Sequence, residues 1–262
     1  PFTQRPRPVF HALVAALNTS DVNRVISLTY VEPYWTTDGV SRVIELYQRT
    51  TDTSSLSVSQ YDSSTTGGAV AFGIPISETD AVNVGLRYER TRIDLTAGSP
   101  LQVILYVAEF GNVTDSVVAS LGWSRDTRDD ILYPTRGTLQ SFLVDTAVPI
   151  GDLQYYKVNY LQQSFWPIYG DFVLMLRGDI GYADGYGGLA LPFYRRFFAG
   201  GVGSVRGYDQ SSLGPQDIYG NATGGKRKIV GNVELFFPLL KGDKSVRASV
   251  FADAGQIYFD GK

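Results

Sequence analysis

The sequence predicts an all-β fold, a transmembrane antiparallel up-and-down β-barrel, and three observations lead to it. Glycine (28 residues), tyrosine (17) and phenylalanine (14) are abundant while methionine occurs once, as expected for strands joined by turns. Apolar and polar side chains alternate along segments of roughly 9–13 residues, close to the length that a tilted strand needs to cross a bilayer. The connections between these segments alternate between short and long, which is typical of outer-membrane barrels.

The alternation is clearest in five segments, each with an apolar face opposite a face of polar, charged and glycine residues. In chain order, the apolar faces comprise Ile26, Leu28 and Tyr30; Val82, Val84, Leu86 and Tyr88; Val117, Ala119, Leu121 and Trp123; Phe172, Leu174, Leu176, Ile180 and Tyr182; and Val246, Ala248, Val250, Ala252 and Ala254. A barrel with lipid outside and a wet lumen explains charges such as Arg177 and Asp179 on the opposite face. A soluble β-sandwich with these apolar faces in its core remains an alternative.

We count 11 candidate strands in up-and-down order. Long connections cross residues 49–66, 93–113 and 184–227, and short turns separate them; the short connection near Gly151 breaks the alternation. Because no water satisfies an unpaired strand edge inside a bilayer, 11 strands predict part of a larger closed barrel with strands missing at both ends. We assign residues 10–262 to this partial barrel domain, with 184–227 as a loop inserted into the lumen, and leave residues 1–9 unassigned.

The composition excludes several kinds of site. The chain has no cysteine, so it forms neither disulfides nor thiolate metal sites. His11 is the single histidine, which excludes His-paired catalytic triads and multi-histidine metal centres. A net charge of −3 gives no reason to expect a nucleic-acid partner. We therefore predict that the chain is not an enzyme and has no catalytic residue, no cofactor and no metal.

The stretch AGGVGSVRGYDQSSLGP, residues 199–215, combines many glycines with one arginine. It lacks the helix of a dinucleotide fingerprint and the Lys-Ser/Thr of a phosphate loop, so phosphate binding is a weak hypothesis. A long loop with this much apolar content should pack, and the lumen is the available place. Arg206 would then lose water and need partners. The strand alternation points Glu234 and Asp253 into the lumen, so we expect Arg206 to pair with them as a latch.

Several separated motifs resemble the C-terminal barrel of the BamA family of outer-membrane β-barrel assembly factors. They include RRFFAGGVGSVRGYDQSSLGP, VGNVELFFP, VRASVFADAGQIY, SLTYVEPYWTTDGVS, DTRDDILYPTRGT and QYYKVNYLQQSFWPI, in the family's order over roughly residues 10–259. The resemblance implies a barrel of about 16 strands preceded by periplasmic POTRA domains. It also implies a latch of Val205, Arg206, Gly207 and Tyr208 against Glu234 and Asp253. The family's first two and last three strands, its POTRA domains and its C-terminal strand signal have no counterpart here.

The function that the resemblance implies is the folding and insertion of β-barrel proteins into the bacterial outer membrane. Its expected partners are outer-membrane lipids, unfolded β-barrel clients and, through the periplasmic domains, assembly-complex lipoproteins. One alternative is a two-partner secretion transporter of the same superfamily, which exports a protein through its pore. A passive porin and a soluble carbohydrate-binding β-sandwich are further alternatives.

Overall fold

A computed structural model describes residues 11–20, 23–52, 61–96, 98–240 and 243–259. The unassigned segment 1–9 lies outside the described residues. The strands are β1 (Ala12–Thr19), β2 (Asn23–Glu32), β3 (Ser41–Asp52), β4 (Asp62–Pro75), β5 (Asp80–Asp94), β6 (Val113–Asp126), β7 (Gly137–Val148), β8 (Tyr155–Tyr169), β9 (Phe172–Gly185), β10 (Arg227–Leu240) and β11 (Asp243–Tyr258). One helix, α1 (Leu101–Phe110), joins β5 to β6, and a short 3₁₀ turn spans Phe193–Arg195.

These 11 strands form one sheet in chain order, each antiparallel to the next. The all-β, up-and-down prediction is thereby confirmed. The β-sandwich alternative is not supported, because a sandwich needs two packed sheets and the described strands form a single one. Long, regular registers join the strands; β9 and β10, for example, pair from Tyr182 with Arg227 to Val173 with Phe236.

The two faces of the sheet differ as the alternation predicts. One face, here called the outer face, leaves its aliphatic side chains open, among them Leu28, Leu86, Leu121, Ile180 and Val250. The other, the inner face, carries buried polar and charged residues, including Glu89, Asp179, Asn232 and Glu234. Of these, Glu89, Asn232 and Glu234 contact the connection that folds over this face. An exposed aliphatic face along crossing strands is the surface that a barrel presents to lipid.

The connections fall into two sets, one at each end of the sheet. The short-turn end holds residues 33–40, 76–79, 127–136 and 170–171. The long-loop end holds 95–112, 149–154 and 186–226, and the connection 149–154 is the short exception expected near Gly151. Among the described helices, none combines the length and the apolar character that crossing a membrane would require.

The hydrophobic core lies on the inner face at the long-loop end. Strand residues such as Tyr155, Val230 and Ile257 pack there against residues of the long loop 186–226 and against Val103 and Tyr106 of α1. No pattern in the sequence predicted α1. Its segment LQVILYVAEF is apolar around most of the helix, so it lacks the amphipathic period that reveals a surface helix.

Candidate functional site

The long loop 186–226 lies against the inner face because its apolar side chains have a surface to cover there. Leu191, Phe193, Phe197 and Val205 are all buried in the shared core. Polar strand residues hold its backbone as well, since Arg177 Nη1 donates to the Gly203 carbonyl at 3.0 Å and Asn232 Nδ2 donates to the Ser204 carbonyl at 2.6 Å. The part of the loop around Arg206 is therefore held in a fixed position against the inner face.

Arg206 contacts both of the carboxylates that the strand alternation points inward. Its Nε and Nη2 donate to the two carboxylate oxygens of Asp253 at 2.7 and 2.8 Å, a bidentate arrangement. Its backbone N–H donates to Asp253 Oδ2 at 2.9 Å, and Nη1 donates to Glu234 Oε2 at 2.8 Å. Hydrogen bonds from the guanidinium to Asp253 and Glu234 raise the pKa of Arg206 above its ordinary value. One arginine thus joins the loop to β10 and β11 simultaneously.

Two further contacts complete this anchor. The Arg206 guanidinium carbon lies 3.5 Å from the centroid of the Phe251 ring, within cation–π range. Ser249 donates from Oγ to Glu234 Oε1 at 2.5 Å, which occupies the carboxylate oxygen that Arg206 leaves free. Phe251, Asp253 and Gly255 are the aromatic, acidic and glycine positions of the FADAG segment on β11. Each of the three therefore contacts the loop or leaves room for it.

Gly255 provides that room. A Cβ at this position would approach Val205 Cγ2 to 2.8 Å and Val230 Cγ2 to 3.0 Å. Val205 is 2% exposed, so the loop has packed its side chain directly onto the strand where Gly255 lacks one. Gly207, next to Arg206, has φ of +89° and tolerates the left-handed region that turns the chain away.

The six residues of the predicted latch do not all join one cluster. Val205, Arg206, Glu234 and Asp253 meet as described, and Gly207 shapes the backbone beside them. The Tyr208 side chain is more than half exposed and lies outside the buried part of the anchor.

A second anchor, which was not predicted from the sequence, lies at the base of the same loop. Arg195 Nη2 forms an ion pair and hydrogen bond with Glu89 on β5. Glu89 is buried and also contacts Arg87 Nε at 3.2 Å and the Tyr47 hydroxyl at 2.6 Å. From the other side, Lys157 Nζ of β8 donates to the Arg195 carbonyl at 3.1 Å. The loop base is thus tied to both β5 and β8.

Aromatic rings surround this second anchor. Phe193 and Tyr194 pack edge-to-face against Tyr106 of α1, with ring centroids 5.3 and 5.9 Å apart, and Phe193 also meets Tyr61 at 4.7 Å. The Arg195 guanidinium lies 5.4 Å from the Tyr194 centroid. The only sequence signal was the run PFYRRFF, which is aromatic and basic but gives no indication of a partner on β5.

The contacts of both anchors join the long loop to strands of the sheet. Within the described ranges, no group of three or more histidine, cysteine, aspartate or glutamate side chains is arranged to hold a metal ion. The carboxylates of Asp126, Asp129 and Asp130, which the sequence places close together, accept hydrogen bonds from within their own turn. The geometry favours a structural or docking role for this region.

Comparisons with known proteins show which family this chain belongs to. Residues 11–262 match the model of the Omp85 superfamily domain. The chain is 37% identical over 254 residues to the outer membrane protein assembly factor BamA of Neisseria meningitidis, covering 90% of this chain and 32% of that protein. It is 31% identical over 206 residues to the BamA of Nitratidesulfovibrio vulgaris, covering 76% and 25%, and 27% identical over 203 residues to a SAM50-like protein of Schizosaccharomyces pombe, covering 69% and 42%.

A solved structure agrees. The crystal structure of BamA from Haemophilus ducreyi lacking POTRA domains 1–3 superposes with a TM-score of 0.87 at 26% sequence identity, covering 95% of this chain and 52% of that one. The chain spans about a third of the length of the BamA relative from Neisseria and about half of that solved chain. The resemblance to the BamA barrel and the bacterial outer-membrane location are confirmed. The single up-and-down sheet, its anchored inner loop and these matches agree: the chain belongs to the Omp85 superfamily.

Proposed function

We propose that this chain supplies barrel strands and the anchored inner loop to a factor that folds and inserts β-barrel proteins into the bacterial outer membrane. The observation that carries the proposal is the Arg206 anchor on Glu234 and Asp253, found in a chain whose BamA relatives are named as assembly factors. A fixed loop on the inner face braces the wall of a barrel that must deform when it accepts client strands.

The proposed mechanism requires no covalent step. The barrel lowers the barrier to insertion by perturbing the bilayer locally and by offering strand edges for pairing, a form of β-augmentation. Outer-membrane lipids and unfolded β-barrel clients are the partners proposed for this region. The resemblance implies that assembly-complex lipoproteins bind through periplasmic domains, so we propose no lipoprotein site on the strands described here. A two-partner secretion transporter is not favoured, because the BamA relatives are named for assembly.

A chimera tests the proposal. Residues 11–262 replace the matching region of the Neisseria BamA, and the purified chimera is reconstituted into lipid vesicles. The rate at which an unfolded β-barrel protein folds into these vesicles is followed by heat-modifiable gel mobility. We expect the chimera to accelerate folding over empty vesicles. The proposal fails if a chimera that is itself fully folded gives the empty-vesicle rate while the unaltered Neisseria protein accelerates folding.

A further inference from the structure

The outer face has a concave site between β8 and β9. A cavity of about 360 Å³ opens there, with Trp166, Leu176 and Ile180 among its walls. Gly178 lies between Leu176 and Ile180 on the same face of β9, and a Cβ at this position would meet no atom within 4 Å. Ligand pockets in proteins are commonly of this size and have mostly apolar walls with a few polar groups. The missing side chain therefore leaves room for a ligand on a surface that faces lipid.

Polar side chains joined by hydrogen bonds form one rim of the cavity. The Tyr160 hydroxyl donates to Gln162 Oε1 at 2.9 Å, and Gln162 Nε2 donates to Ser164 Oγ at 3.3 Å. From β7, Gln140 Nε2 donates to the Tyr160 hydroxyl at 3.0 Å. Polar groups facing lipid are costly unless they are hydrogen-bonded, and these groups satisfy one another. Among the described contacts, Gln162 uses one of its two amide N–H groups, so the other can donate to a ligand oxygen.

A row of paired residues leads from the short-turn end to the cavity. Asp80 of β5, Arg125 of β6, Gln140 of β7, Gln162 of β8 and Gly178 of β9 lie directly opposite one another, strand by strand. The row runs obliquely into the bilayer, because Arg125 is next to the end of β6 whereas Gly178 lies in the middle of β9. Three strand spacings, about 14 Å, separate these two residues. The hydrocarbon of one leaflet is about 15 Å deep, so an acyl chain that starts near Arg125 can reach the cavity.

Two opposite charges lie side by side where the row begins. Arg125 is exposed and makes no ion pair or hydrogen bond with the residues that the structure describes. Asp80, its neighbour on β5, accepts hydrogen bonds at Oδ2 from Ser77 Oγ and Thr79 Oγ1, both at 2.9 Å. An arginine here attracts a phosphate, and the adjacent carboxylate attracts an ammonium group. A head group with phosphate alone would face Asp80 as a like charge, so the pair favours a zwitterion.

We propose that this row is a binding site for a phospholipid whose head group carries both a phosphate and a primary ammonium. The phosphate binds Arg125, the ammonium binds Asp80, and one acyl chain crosses Gln140 and Gln162 to end in the cavity over Gly178. The inference rests on the lipid-facing assignment of the outer face and gives the lipid partner of the proposed function a defined site. It does not depend on whether the barrel folds clients.

The test measures lipid binding to the folded chimera with the Neisseria BamA. Delipidated protein in detergent is titrated with phosphatidylethanolamine or phosphatidylglycerol, and native mass spectrometry gives the bound fraction. We expect the ethanolamine lipid to bind about tenfold more tightly. Arg125→Gln should weaken both lipids, whereas Asp80→Asn should remove the preference between them. Arg92→Gln, an exposed arginine on the outer face at the long-loop end, is the matched control and should change neither.

A second pair of variants tests the cavity without touching the charges. Gly178→Leu fills the cavity and should weaken the ethanolamine lipid about tenfold. Gly231→Leu is the control, because Gly231 lies opposite Gly178 on β10, has similar open space and does not line the cavity. Heat-modifiable gel mobility confirms that each variant is folded. Equal binding by the two leucine variants, or an ethanolamine preference that survives Asp80→Asn, would overturn the proposal.

The rate of client folding in vesicles, measured on the same chimera, separates this inference from the proposed function. A chimera that binds the ethanolamine lipid selectively but does not accelerate folding contradicts the proposed function alone. A chimera that accelerates folding but shows no lipid preference contradicts the lipid site alone.

Discussion

At the scale of single residues, Arg206 binds two carboxylates in a way that a lysine in its place would not. Its planar guanidinium meets Asp253 with two donors and Glu234 with a third, while its stem brings the plane over the Phe251 ring. A lysine ammonium is a compact charge without this fork, so it satisfies one carboxylate well at the expense of the other. The Asp253 and Glu234 side chains are 2% and 11% exposed, so removing the arginine leaves two poorly hydrated carboxylates facing each other.

Arg206→Ala should therefore lower the free energy of unfolding by about 3 kcal/mol, as expected for breaking a buried pair. Arg206→Lys should lower the free energy of unfolding by a smaller amount. A double-mutant cycle with Asp253→Asn, measured by urea unfolding in vesicles, should give a coupling energy of about 1–3 kcal/mol. Strict additivity of the two single effects would show that the pairing does not stabilise the fold.

Gly255 allows a second test at this scale. Gly255→Ala should destabilise the fold by about 1–3 kcal/mol, because the new methyl group would overlap Val205 and Val230. Gly178→Ala is the matched control: its Cβ would meet no atom within 4 Å, so its unfolding free energy should stay within about 0.5 kcal/mol of the unaltered chain. Equal effects at both glycines would mean that the loop does not pack on β11.

At the scale of elements, the long loop is a brace held at two separate places. Arg206 ties it to β10 and β11, and Arg195 ties its base to Glu89 of β5. These strands are far apart in the sheet, so the loop connects parts of the wall that backbone pairing does not join directly. The turn 127–136 makes a comparable connection at the opposite end through Tyr133 and Arg247.

Loss of the second anchor should release the loop base without releasing the first. In Arg195→Ala we expect residues 186–199 to exchange amide hydrogens at least tenfold faster, with little change around Arg206. Hydrogen exchange by mass spectrometry measures this. Arg136→Ala, an exposed arginine in the turn at the other end, serves as the control. Unchanged exchange in Arg195→Ala would show that the ion pair does not hold the loop.

At the scale of the whole molecule, the sheet separates lipid on its outer face from water on its inner face. The outer face offers aliphatic side chains to lipid, and the inner face carries charges that need water or partners. The effect of a substitution on the free energy of unfolding should therefore depend on which face it lies on.

Leu86→Lys, in the middle of the outer face, should cost about 2–4 kcal/mol in vesicles, since it places a charge at hydrocarbon depth. Ser120→Lys introduces the same charge on the inner face, where Ser120 lies within hydrogen-bonding distance of Asp145, and should cost clearly less. Urea unfolding in vesicles, followed by heat-modifiable mobility, compares the two. Similar costs would contradict the assignment of the outer face to lipid.

The sequence by itself determined the strands, their order and their faces, because side-chain alternation with a period of two is local information. It also indicated Arg206 with Glu234 and Asp253, since parity fixes which way a strand residue points. It did not reveal α1, whose apolar run carries no clear helical period.

Only the tertiary structure decided the contacts that cross the inner face. Arg195 and Glu89 are 106 residues apart, and no local sequence pattern around either residue indicates the other as its partner. Tyr133 and Arg247 meet although three strands, β8 to β10, separate β7 from β11, which depends on the curvature of the sheet. Local patterns fix which face a residue occupies, whereas the partner opposite it depends on how the whole sheet curls and where its connections fold back.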